Sequence, residues 1–185
     1  MITSTKGQKE KAELSELDEA WDLALADARD RARAAGRTDI AEFIDLRRKN
    51  DLLRSTATRW LVDVAMSLAA DANRAGGGIQ IDRDDAHRFP RGHATMVGSR
   101  ITFRSGVRAL TIESGWPRAP HDGFIRGNAL ACANIKHLGR PRMNQELILV
   151  SSSKGSPQWL IVKDDLKTRL TESHLRRHFS ILTES

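Results

Sequence analysis

The chain has 185 residues, 30 basic and 24 acidic side chains, a net charge of +6, 39% hydrophobic residues and one cysteine. That length suits one well-buried core and is short for two, and the lone Cys132 excludes an internal disulfide framework and a cysteine-based zinc cluster. The polar start MITSTKGQKEKAE and the shortness of the apolar runs predict a cytoplasmic chain with no membrane partner.

Charge is unevenly placed. Residues 1–35 carry six basic and eight acidic groups, whereas residues 129–185 carry nine and five. The basic excess of the later part raises the expectation of a polyanionic partner.

Leu14, Leu17, Ala20, Trp21, Ala24, Leu25 and Ala28 recur at helical spacing between acidic residues and predict an amphipathic helix that Gly36 ends. Residues 1–36 therefore read as an acidic N-terminal helix, an appendage or a dimer contact. Residues 37–185 read as a single α+β domain. Asp39 with Glu42 resembles a capping box for a second helix, whose stripe Leu53, Ala57, Trp60, Leu61, Val64, Leu68 and Ala72 is the most regular in the chain. Its continuity through Asn50 is left open by the charged RRKND stretch. Gly76, Gly77 and Gly78 stop it.

Residues 79–82 predict a short strand, and the segment holding His87, Arg88, Arg91 and His93 a turn-rich loop of mixed charge. A hairpin is expected over residues 95–113 about a Ser105-Gly106 turn, pairing Arg104 with Val107, Thr102 with Ala109 and Ile101 with Leu110. It sets Ile101, Phe103, Leu110 and Ile112 on one face, with Arg108 as the misfit, and Arg100, Thr102, Arg104, Thr111 and Glu113 on the other. Gly98 marks a bulge.

Residues 129–138 are short and apolar. Asn128 as an N-cap, Lys136 and His137 in a last turn, and Gly139 followed by Pro141 favour a helix over a strand. Residues 146–151 and 158–162 predict two more strands. Asp164 and Asp165 then open a terminal helix carrying Leu166, Leu170, Leu175, Phe179 and Leu182. The expected fold is α+β, an antiparallel sheet of about five strands in the order α-α-β-β-β-α-β-β-α with helices packed on one face.

The conspicuous segment is residues 115–128, GWPRAPHDGFIRGN. If Asn128 caps a helix, free N–H groups meet Arg126 and Arg118 in an anion site, Trp116 stacks on a base or sugar, and Asp122 beside His121 orients an arginine or accepts from a ligand hydroxyl. Read structurally, the prolines and glycines build turns, Asp122 bonds its own backbone and Trp116 anchors the core. His174 and His178 share a helical face, but Arg176 and Arg177 oppose a cation there, so no metal ligand is assigned.

The order helix, three strands, helix, strand is similar to the core of restriction-endonuclease-like nucleases, which hold a divalent metal with an acid on the second strand and a (D/E)xK pair on the third. The second strand here has no acid, and the third ends in Glu113-Ser114-Gly115, with glycine in the place of lysine. Lys136 and one of Asp82, Asp84 or Asp85 would have to stand in, and the chain is not assigned to that family.

The sequence thus points to a non-enzymatic cytosolic binding module for an anionic partner, nucleic acid or another phosphate-containing ligand. Its contacts would be Trp116, Arg118, His121, Asp122, Arg126 and Asn128, with Arg100 and Arg104 on the adjoining strand face. No catalytic residue, metal or cofactor is assigned. The alternatives are a metal-dependent nuclease of restriction-endonuclease-like topology and a protein-interaction or oligomer-forming module acting through the N-terminal helix, with another protein or as a homo-oligomer.

Overall fold

A computed structural model describes residues 20–125, 127–152, 156–164 and 166–184. They divide between Asp51 and Leu52 into two compact units.

The first unit is a helical hairpin. Helix α1 covers residues 20–34, Gly36 turns the chain at φ +72°, and helix α2 begins at Thr38. Asp45 on α2 receives Arg33 at 2.8 Å and Arg29 at 3.6 Å, and the Arg47 guanidinium lies 5.8 Å from the Trp21 ring centre. The interior of the hairpin is small: Ala32, Ala41 and Ile44. The part of the expected first helix before residue 20, including Leu14 and Leu17, lies outside the described residues.

Helix α2 runs unbroken over Thr38–Arg74, so the charged stretch before Asn50 does not interrupt it. From Leu52 onward it belongs to the second unit, with seven strands and a last helix: β1 Gln80–Arg91, β2 Ala94–Ser105, β3 Arg108–Trp116, β4 Ala131–His137, β5 Gln145–Val150, β6 Gln158–Lys163, β7 Leu166–Arg169 and α3 Glu172–Thr183. The strands form one antiparallel sheet in which each pairs with the next, in the order β1 to β7.

The α+β class is as expected, with seven strands in place of about five. Residues 131–137 are a strand and not a helix. The mixed-charge segment through Arg91 continues β1, and Leu166 belongs to β7 and not to the terminal helix.

Strand alternation sorts the two faces of the sheet. Ile101, Phe103, Leu110, Ile112, Ile135, Leu147, Leu149, Trp159 and Ile161 point to the helices, where Leu61, Ala65 and Leu68 of α2 and Leu175, Phe179 and Leu182 of α3 complete the main core. Phe103 meets Phe179 edge to face at 4.9 Å, and the Trp159 indole N–H donates to the Ala57 carbonyl at 3.0 Å. The β2–β3 turn is Gly106-Val107, two residues from the expected register, because Ser105 pairs with Arg108. Gly106 takes φ +57° at the first central position, which a two-residue turn with glycine there requires. An even slip keeps every side chain on its expected face.

The opposite face is curled. β1 and β5 are four strand spacings apart, ~19 Å in a flat sheet, yet Arg91 of β1 reaches Glu146 of β5 at 3.2 Å. Phe89 of β1 likewise shares a second buried cluster with Met96, Cys132 and Ile148. The bend has a visible cause. In β1 the register shifts between Asp84 and His87, two residues there opposing Ser99 alone, and the next pair inward is Gly98 with Gly115. A Cβ on Gly98 would lie 2.0 Å from the Ser114 carbonyl oxygen, so only glycine permits that approach.

Candidate functional site

The face of the sheet that no helix of the second unit covers, the helix-free face, carries the polar groups. By register, Asp84, Arg100, Glu113, Asn134 and Glu146 form one row across β1 to β5, and Asp82, Thr102, Thr111 and Lys136 form the row beside it. Glu113, in the middle, is buried. Its Oε1 accepts from Asn134 Nδ2 at 2.8 Å and from Lys136 Nζ, and its Oε2 accepts from His87 Nε2 at 3.0 Å. His87 belongs to β1, two strands away, and reaches Glu113 across Gly98, where no side chain intervenes. Burial alone would push the Glu113 carboxyl up; the hydrogen bonds from Lys136, Asn134 and His87 outweigh it and hold the group below the usual carboxylate range.

The chain of contacts continues outward. His87 Nδ1 is 3.8 Å from Asp84 Oδ2, which Arg100 approaches at 3.4 Å. Thr102 and Thr111 share a hydrogen bond at 3.3 Å between their hydroxyls. Arg104, exposed at the end of the same strand face, has no carboxylate partner among the described residues.

Residues 115–128 do not form the site that the sequence suggested. Trp116 is a buried core residue, with the Arg118 guanidinium 3.7 Å from its ring centre and that of Arg54 at 5.8 Å. It faces the helices, so Arg118 and the pair Arg100/Arg104 lie on opposite sides of the sheet. Asp122, buried, accepts from the backbone N–H groups of Arg118 at 3.1 Å and Ala119 at 3.0 Å and from Arg88 Nη2 at 2.6 Å. It orients an arginine, but Arg88 of β1, and it closes its own turn as an Asx residue does. His121 is exposed. Asn128 caps no helix: at φ +57° it is a turn residue leading into β4, so the expected cluster of free N–H groups is absent there. Arg126 lies outside the described residues.

Compared with known proteins, the chain matches no family model, no curated protein and no solved structure.

Sequence reasoning missed the His87–Glu113–Asn134 network because it depends on β4 being a strand. One contact of the nuclease alternative does form, since Lys136 meets Glu113. It comes from a strand and not from a following helix, and the element order that carried the resemblance is not present. Both oxygens of Glu113 are engaged, and among the described residues no three His, Cys, Asp or Glu side chains converge as a metal site. The chemistry of this arrangement is that of a buried anion neutralised by its neighbours. Glu113→Ala would leave the part-buried donors of Asn134 and His87 without their partner while Lys136 turns to water, and the expected loss is about 2 kcal/mol in denaturant unfolding. Magnesium-dependent cleavage of nucleic acid that vanishes in Glu113→Ala would instead support the nuclease alternative.

Proposed function

We propose that the chain is a non-enzymatic cytosolic binding module for an anionic partner, nucleic acid first, and that the contact surface is the helix-free face of the sheet. The observation that carries the reading is the placement of Arg100, Arg104 and Lys136 on that one face, with the Thr102 and Thr111 hydroxyls between them. Guanidinium groups offer forked donors to phosphate oxygens, and the ammonium adds a point charge. The backbone positions of Arg100 and Arg104 stand ~13 Å apart along one strand, a spacing that suits successive phosphates of a polymer. Asp84 pairs with Arg100 through a single long contact at 3.4 Å, so a phosphate can compete for that arginine.

Glu113 supports the platform without taking part in chemistry. It neutralises Lys136 in part and holds the strand row together. The cations of this surface are interspersed with carboxylates at Asp82, Asp84, Glu113 and Glu146, which suits a backbone contact of moderate affinity more than a tight one.

The reading is tested by mapping backbone amide shifts during titration with a short single-stranded oligonucleotide at low salt. The largest changes are expected over residues 100–104, Thr111 and Lys136. Changes confined to residues 117–125 would move the site back to the loop, and no changes at all would overturn the function.

A further inference from the structure

The two-helix unit buries Ala32, Ala41 and Ile44 but leaves Leu23 67%, Phe43 64% and Leu46 57% exposed. A helical hairpin with so small an interior does not hold itself by its own packing, and exposed apolar residues grouped on one helix side call for a partner. On α2 the side is well defined. At 3.6 residues per turn, Phe43 and Leu46 lie roughly opposite Ala41 and Ile44, hence away from the α1-facing side.

We infer that this side of α2 docks against a second copy of the chain, antiparallel, about a two-fold axis near Asp45 and Leu46. Charge complementarity selects that occupant. Along α2 the acids Asp39 and Glu42 precede Phe43 and Leu46 and Lys49 follows them on the flank of Glu42, whereas Arg47 pairs with Asp51 at 3.9 Å on its own helix and Arg48 turns to the α1-facing side. A helix that runs from acid to base complements its own reversed copy, whereas a parallel copy would set like charges together. Asp45 is already paired with Arg29 and Arg33 of its own hairpin. Centred between Asp45 and Leu46, the antiparallel arrangement sets Glu42 against Lys49 of the second copy on the same flank, and the two-fold repeats the pair. Phe43 and Leu46 of both copies meet between these pairs. With α1 on the far side of each α2, the product is a row of four helices whose centre is the α2–α2 contact.

The inference stands apart from the nucleic-acid reading and is tested on the full chain by light scattering coupled to size exclusion. The expected mass is twice 20.6 kDa. Phe43→Glu with Leu46→Glu should weaken association by roughly a hundredfold, with the circular dichroism of the sheet unit unchanged. Because charged residues on a helix can also unfold it, a charge exchange supplies the second arm: Glu42→Lys should weaken the dimer and Glu42→Lys with Lys49→Glu should restore it. A monomeric wild-type chain, a dimer indifferent to Phe43 and Leu46, or no rescue by the exchange would overturn the inference.

Discussion

Gly98→Ala is expected to destabilise the second unit by on the order of 4 kcal/mol, a large part of the stability of a small domain. The added Cβ would stand 2.0 Å from the Ser114 carbonyl oxygen and 2.7 Å from Gly115 Cα. Both are backbone atoms of the neighbouring strand, so no side chain can rotate away; the strands themselves must separate. They are held at this point by the bulge in β1 and by β4 on the far side of β3, and separation would straighten the bend that brings β1 over the sheet. His87 would then lose Glu113, and Phe89 would leave Met96 and Cys132. Gly139→Ala is the control. Gly139 has φ +73° but open space about its Cβ position, so only the backbone penalty of about 1 kcal/mol applies. Urea unfolding of the two variants measures the difference, and a Gly98→Ala loss no larger than the control would refute the steric account.

Acid should loosen α3 before it affects the carboxylates. His137 of β4 and His178 of α3 are both buried, their rings stacked at 5.1 Å with His137 Nε2 2.8 Å from His178 Nδ1. One ring donates to the other only if at least one of the two facing nitrogens is unprotonated. Burial is the main cause that pushes His178 down to about 4, with the His137, Arg177 and His174 charges adding to it; burial, then Arg140, pushes His137 down as well. Both rings are therefore neutral in the folded protein at pH 7. The unfolded chain binds protons near pH 6.5, so it holds more of them than the folded one between pH 6.5 and about 4. Stability must fall as pH drops through that window and level off below it, by roughly 3 kcal/mol for a shift of this size. Glu113 and Asp122, whose carboxyls sit low, lose their contribution only at more acid pH.

Replacing both histidines by leucine removes the titration without stranding a donor. Thermal unfolding of His137→Leu/His178→Leu should then be nearly flat between about pH 6.5 and 5, above the range in which the carboxylates begin to be protonated. The same slope in the double variant would assign the acid sensitivity elsewhere.

The fold was legible wherever periodicity had one meaning. In the β2–β3 hairpin the period of two placed Ile101, Phe103, Leu110 and Ile112 inward and Arg100, Thr102, Arg104 and Glu113 outward, and the two-residue error in the turn left those faces intact. β4 was misread because it lies in mid-sheet, covered on both faces: Ala131, Cys132 and Ala133 are all buried, so no alternation shows. The residue that simulated a helix cap, Asn128, is favoured at N-caps because its side-chain oxygen accepts a backbone N–H, and in turns because it tolerates the left-handed region, so the residue type alone does not tell the two apart. The second half of β1 looked like a loop because edge strands accept proline and charge, as Pro90, Arg88 and Arg91 show. Four exposed residues of β7 left no pattern to read.

The site was legible in part. The turn chemistry of Asp122 followed from Pro-His-Asp-Gly, and the solvated face of β2 from its register. The bond from His87 to Glu113 spans 26 residues and that from His137 to His178 spans 41, and both depend on how strands curl and helices return. No spacing in the chain announces such contacts.

The central claim is that the helix-free face binds a polyanion through Arg100, Arg104 and Lys136, and the salt dependence of binding tests it most directly. Anisotropy of a labelled single-stranded oligonucleotide, titrated with protein from about 50 to about 200 mM salt, should give a binding constant whose logarithm falls linearly with that of the salt concentration. Arg104→Ala should reduce that slope by about 0.7, one phosphate contact on a single strand. Binding that ignores salt, a slope unchanged in Arg100→Ala/Arg104→Ala, or no binding at the lowest salt would contradict it.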